Sequence, residues 1–155
     1  PSEAEWEYAA RSENSLDYPW NGGLSRARVN YYRSFDPFEA VSPPFTQNGG
    51  PCTPVGFFSG GGKLGFQTGS NASPFGVFDL VGNVWEWCND WYDEDYYAAS
   101  PEENPLGPPE GDLRVVRGCA WNSRVEDVRT GNRGYYDPAK LSYSIGLRLV
   151  YTIAD

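Results

Sequence analysis

Residues 75–91 read FGVFDLVGNVWEWCNDW, from Phe75 to Trp91. These seventeen residues hold three tryptophans, two glycines and several acids. Tryptophan is scarce and rigid, so a cluster laced with glycine and acids points to a built site rather than filler. Val84–Asn89 reads as a strand or a tight turn into one. Asp79 and Glu86 offer carboxylate oxygens, and Gly82 and Val84 offer carbonyls from the turn between them. Hard cations such as Ca²⁺ take about six to eight oxygens of these kinds. The competing reading is that Glu86 pairs an arginine and Asp79 caps a turn. Residue types alone favour the second.

Working outward, 155 residues make one domain with room for one core. Eighteen glycines, 13 prolines and a mean hydropathy of −0.59 point to a loop-rich body. Aromatic residues are 16% of the chain, so Trp, Tyr and Phe are expected to build the core. The formal net charge of −9 argues against a nucleic-acid partner. No stretch resembles a membrane span or a signal peptide. Cys52, Cys88 and Cys119 are odd in number and show no CxxC spacing, so they define no disulfide framework, although one pair could bridge. Histidine and methionine are absent, which removes the commonest general base and the commonest transition-metal ligand.

Along the chain, Ser2-x-x-Glu5 is a capping box, and Trp6, Ala9 and Ala10 follow at helical spacing. This predicts a short helix over 3–11. From 12 to 76 the chain reads mostly as loop, with extended pieces near 28–32 and 53–58. GGGKLG and TGSNASP, within 59–74, read as surface turns. Residues 93–113 read as an acidic, Pro-rich loop with a helical turn at 93–98. Leu113–Gly118 and Ile145–Tyr151 read as strands. Trp6, Trp85 and Trp121 are expected to be largely buried with their indole N–H groups bonded. Arg129, Arg133 and Arg148 read as guanidinium forks that tie loops.

Three stretches in order carry a resemblance: PSEAEWEYAAR at the start, the Phe75–Trp91 run, and RVVRGCAWNS…VRTGNR…DP…SIGLRLV at the end. Together they resemble the formylglycine-generating enzyme, or sulfatase-modifying factor, family. The resemblance implies an α+β fold of the C-type-lectin-like kind, loop-rich, with little regular secondary structure and a small antiparallel sheet. Residues 1–155 are expected to form a single module of this type. Pro1-Ser2-Glu3 resembles the middle of the family's domain, so its N-terminal part is expected to lie outside this chain.

The resemblance also shifts the balance at the sites. It favours a structural calcium at Asp79, Gly82, Val84 and Glu86. It implies half of a second calcium site at Asn30 and the Tyr31 carbonyl, although no Asp stands near Gln47–Gly50 where one is wanted. Cys119 lies in RGCAW, where the family usually has RGGSW or RGGSY. Oxidising members carry two cysteines beyond that aromatic residue, which bind copper and oxidise a substrate cysteine with oxygen. Here the first such position is Ser123, and RVEDVRTGNR lacks cysteine. Soft Cu(I) needs two thiolates held close, so Cys119 alone puts that activity in doubt and reads instead as a small buried residue at a tight backbone approach.

The spacing of Trp121, Arg129, Arg133, Pro138, Ile145-Gly146 and Arg148 further resembles the variable proteins of diversity-generating retroelements. Between those framework positions stand Asn122, Ser123, Arg124, Glu126, Asp127, Asn132, Gly134, Tyr135, Tyr136, Asp137, Ser142, Tyr143 and Ser144. Tyr gives rigid contact area, and Ser, Gly and Asn give adaptable hydrogen bonds. An ordinary solvated loop has the same composition. The reading that follows is a non-catalytic module binding a protein or glycan over 122–144, with Trp121 beneath as a platform. The rival is a copper- and oxygen-dependent formylglycine-generating oxidase using Cys119, or a non-catalytic paralogue of one. Location stays open, with a cell-surface or extracellular setting favoured.

Overall fold

The computed structural model describes residues 1–38 and 51–151. The capping box forms: Ser2 Oγ accepts from Glu5 N at 3.2 Å, and Ser2 N donates to Glu5 Oε2 at 2.8 Å. It starts helix α1, Glu3–Arg11, whose inward face is Glu3, Trp6 and Ala10. The helix lies against a four-stranded sheet. Its strands are β3 (Trp85–Trp91), β4 (Arg114–Arg117), β5 (Arg133–Tyr136) and β6 (Ile145–Gly146). They run in the order β5-β4-β3-β6, antiparallel except for the parallel β3–β6 pair. The expected α+β, loop-rich architecture with a small sheet is what the chain adopts.

Strand β3 alternates as a half-buried strand should. Glu86, Cys88 and Asp90 are buried, while Trp85, Trp87 and Trp91 are half-buried on the other face. A register shift between Trp87 and Trp91 bends the strand. One core cluster joins α1 to the sheet through Trp6, Ala10, Leu80, Cys88 and Val115. A second joins Trp20, Val29, Val81, Cys119 and Val128. Two glycines make the loops between them possible. Gly82 has φ +79°, and a Cβ there would sit 2.4 Å from the Asn30 carbonyl oxygen. Gly118 has φ +95°, with the Leu80 oxygen 2.8 Å from the same point. Gly82 N donates to Gly118 O at 2.6 Å and locks the two turns together.

Several local expectations are corrected. Residues 59–70 are not plain surface turns: β1 (Ser59–Lys63) and β2 (Phe66–Ser70) form an antiparallel hairpin. Its two-residue turn has φ 53° at Leu64 and 75° at Gly65, the positive pair that matches the twist of a hairpin. The extended pieces near 28–32 and 53–58 join no ladder; residues 26–28 are a turn, with Arg28 N bonded to Ser25 O. The expected helical turn within 93–98 is present as a 3₁₀ turn at Tyr96–Ala98. β5 falls where the sequence reads as loop, and the last strand ladders over two residues only.

Candidate functional site

Asp79, Gly82, Val84 and Glu86 come together. With Gly56, Asn83 and Arg148 they line a cavity of about 450 Å³. Asp79 Oδ2 accepts from Gly56 N at 2.6 Å and Oδ1 from Asn71 Nδ2 at 2.9 Å. Glu86 Oε2 accepts from Trp6 Nε1 at 2.7 Å. The Arg148 fork takes both Glu86 oxygens, Nε to Oε2 at 2.9 Å and Nη2 to Oε1 at 2.7 Å. Both halves of the plainer reading, an arginine pair for Glu86 and a turn role for Asp79, are therefore physically present. An ionised carboxylate has about four lone-pair sites, so both groups keep spare acceptor capacity. The donors are hard oxygens of the kind Ca²⁺ takes, and Arg148 already engages both oxygens of Glu86.

The second pair is less open. Asn30 is buried; its Nδ2 donates to Pro51 O at 2.7 Å, and its carbonyl accepts from Asn83 N at 2.9 Å. The Tyr31 carbonyl already closes a turn with Ser34 N at 2.9 Å. The remaining positions, near Gln47–Gly50, lie outside the described residues.

Cys88 and Cys119 fall in different core clusters. Cys88 belongs to the cluster under α1 and Cys119 to the other, and both are free thiols. Burial pushes the Cys88 thiol up to about 12 and raises that of Cys119. Cys119 Sγ donates to Asp127 O at 3.1 Å and accepts from Asn132 Nδ2 at 3.3 Å. Its backbone has φ 66°, which explains the family's glycine here. This donor set does not fit a two-thiolate copper site.

All fourteen surface residues from Trp121 to Ser144 named above are exposed or half-buried. They stand on buried anchors: Arg117, Val128 and Thr130 are at 0–1% exposure. The strand period divides them, however. On β5, Tyr135 packs on Tyr92, with centroids 4.4 Å apart, on the helix side. Tyr136 tilts against Trp87, at 6.2 Å, on the other side. Tyr135 therefore leaves the face that Gly134 and Tyr136 share with Trp85 and Trp87. Trp121 is only half-buried, and its indole N–H lacks a partner among the described residues. Trp85 is likewise half-buried, whereas Trp20 is buried with its indole N–H bonded to Gly23 O at 3.2 Å.

Sequence reading missed the charge centre between helix and sheet. Glu3, 1% exposed, accepts from Arg117 Nη1 at 2.6 Å, Arg133 Nε at 2.8 Å and Arg133 Nη2 at 3.0 Å. Arg117 Nη2 reaches Glu7 Oε2 at 2.5 Å and Thr130 O at 2.7 Å. The signal was available: Glu3, Trp6 and Ala10 share one helix face at three- and four-residue spacing. Arg133 also holds the Asp93 and Glu94 carbonyls, and Arg148 those of Phe78 and Asp79, so both forks tie loops.

The family described as the sulfatase-modifying factor enzyme 1-like domain matches residues 1–153. The serine/threonine-protein kinase Pkn1 of Chlamydia trachomatis is 34% identical over 151 residues, covering 96% of this chain and 20% of that protein. The formylglycine-generating enzyme of Streptomyces coelicolor is 33% identical over 156 residues, covering 96% and 45%. Among solved structures, PvdO from Pseudomonas aeruginosa superposes with a TM-score of 0.67 at 27% identity, covering 94% of this chain and 49% of that one. Treponema denticola variable protein 1 gives 0.57 at 25% identity, covering 95% and 45%. The chain thus spans between a fifth and about half the length of these relatives. With that match over residues 1–153, the chain belongs to the sulfatase-modifying factor enzyme 1-like domain family.

Proposed function

We propose that this chain is a non-catalytic recognition module that binds a protein or glycan through the surface around Trp121–Ser144. The observation that carries the proposal is the contrast along that stretch. Val128 and Thr130 are buried, while the Tyr, Ser, Asn and Gly positions around them remain accessible. A rigid frame under adaptable side chains is the composition of a binding surface. On this reading Gly134, Tyr136, Ser142, Tyr143 and Ser144 lie with Trp87 on the ligand side, and Tyr135 stays with the scaffold. The likeness to a protein named variable protein 1 supports a surface whose sequence changes between copies. The separated, protonated thiols weigh against an oxidase. A structural calcium at Asp79 and Glu86 belongs to this proposal as scaffold.

The test is a screen of the immobilised chain on glycan and surface-protein arrays, repeated with Tyr136→Ala and Tyr143→Ala. Whatever the native chain captures should bind at least ~10-fold more weakly to one of them. Full retention by both variants overturns the surface. Oxygen uptake by the Cu(I)-loaded chain on a cysteine-containing sulfatase peptide overturns the non-catalytic reading itself.

A further inference from the structure

The buried indole of Trp20 holds a cation. The Arg28 guanidinium lies 5.6 Å from its ring centroid, within cation–π reach. Gly69 of β2 sets where that arginine runs. A Cβ on Gly69 would meet Arg28 Cγ and Nε at 3.1 Å each. Gly69 N donates to Ala27 O at 2.6 Å, which fixes the two segments side by side. Arg28 is half-buried, yet its guanidinium makes no hydrogen bond or ion pair among the described residues. The chain has 21 acidic and 12 basic residues, so carboxylates are plentiful and this fork is still left open.

Arg28 lines a cavity of about 390 Å³ with Trp20, Asn21, Ser70, Ser73 and Pro74. Among the described residues that line it, Arg28 alone is charged. Ser73 is 6% exposed, and its Oγ accepts from Phe75 N and Val77 N, both at 3.3 Å. Ser70 Oγ accepts from Ala72 N at 3.3 Å. Each hydroxyl keeps its own proton to donate. The cavity thus offers a guanidinium fork, two hydroxyl protons and the Asn21 amide, a set that suits an acceptor. One guanidinium matches one negative charge and takes a planar carboxylate through two parallel N–H bonds. A phosphate dianion calls for a second cation, which this lining lacks.

We propose that this cavity binds the carboxylate of a small organic acid, at a site separate from the surface around Trp121–Ser144. Arg28 supplies the charge, and Trp20 and Gly69 hold it in place. Ser70, Ser73 and Asn21 donate to the ligand's remaining oxygens.

The experiment is a nuclear magnetic resonance titration of the chain with glucuronate, hexanoate, glucose and inorganic phosphate, read at the Trp20 indole N–H and the Arg28 Nε–H. At least one of the two acids should saturate at millimolar concentration and shift both signals, and glucose should shift neither. A preference for glucuronate assigns a hydroxylated acid, and a preference for hexanoate an apolar one. Arg28→Gln should weaken binding roughly 10- to 100-fold, the scale of lost hydrogen bonds to a charged group. Arg28→Lys, which keeps the charge without the fork, should fall between. Gly69→Ala keeps the arginine but crowds it, and should weaken binding at an unchanged melting temperature. If Arg28→Gln does not fold, these last two variants decide in its place. Tyr136→Ala and Tyr143→Ala should leave this binding as it is. Saturation by neither acid, undiminished binding in the Arg28 variants, or phosphate bound as tightly as the acids overturns the proposal.

Discussion

Arg117 Nη1 donates to Glu3 Oε1 at 2.6 Å, with both side chains out of solvent and 114 positions apart in the chain. The guanidinium also lies 5.3 Å from the centroid of the Trp6 ring. Glu3 neutralises Arg117 and shares its other oxygen with Arg133. Removing one partner of such a group strands buried charge, which costs more than the pair ever contributed.

Glu3→Ala should therefore destabilise the fold by about 3–5 kcal/mol. Urea denaturation of variant and wild type measures it. A loss within ~0.5 kcal/mol, the scale of an ordinary surface change, would show that Glu7 alone suffices to neutralise Arg117.

Asp90 gives a pH dependence. Its Oδ2 accepts from Glu3 N at 2.7 Å, while Oδ1 has no partner among the described residues. Burial raises its carboxyl above the ordinary 3.8, partly offset by the bond from Glu3. A raised carboxyl binds its proton more tightly in the folded state. Its contribution is thus complete below pH 3.8 and is lost as pH rises through the raised value. Asp90→Asn should gain stability relative to wild type between pH 4 and pH 7. A wild-type-minus-variant difference that stays flat over that range removes the carboxylate from the pH response.

The calcium proposal makes its own demand. Melting temperature should climb with calcium concentration by mass action. Asp79→Ala or Glu86→Ala should lower it and abolish the climb. A wild-type melt unmoved by EDTA returns Glu86 to Arg148 and Trp6.

Thiol chemistry separates the cysteines. With its thiol held near 12 and its side chain buried, Cys88 should resist iodoacetamide at pH 8 in the native protein, as should Cys119. Both should react once urea unfolds the chain. Labelling of either at the rate of the unfolded protein would return the oxidase reading to consideration. Both thiols should cost stability as pH rises above 9.0, Cys88 until its own value of about 12 is reached, because they ionise first in the unfolded state.

Much of this was legible because local physics decided it. Ser2 and Glu5 announce α1, and the alternation around Trp85, Trp87 and Trp91 announces β3. The gathering of Asp79 and Glu86 was readable once the family resemblance was in hand. What escaped depended on distant partners. Arg133–Tyr136 is a strand only because β4 lies beside it, and its own RGYY sequence carries no alternating apolar signal. The Ser59–Lys63 glycines ladder through backbone alone, so side-chain patterning is silent there. Trp121 was expected to bond its indole N–H, yet only tertiary placement could say what faces it.

The Glu3 clamp also fixes an order of events during synthesis. Glu3 is made before its cationic partners, which follow 114 and 130 residues later. At about 5–20 residues per second, α1 waits on the order of ten seconds before Arg133 exists. Until Arg117 is made, neither of these guanidinium partners is there for its inward carboxylate. Contacts of such long range place this domain among slow folders, with final consolidation left to the last third of the chain.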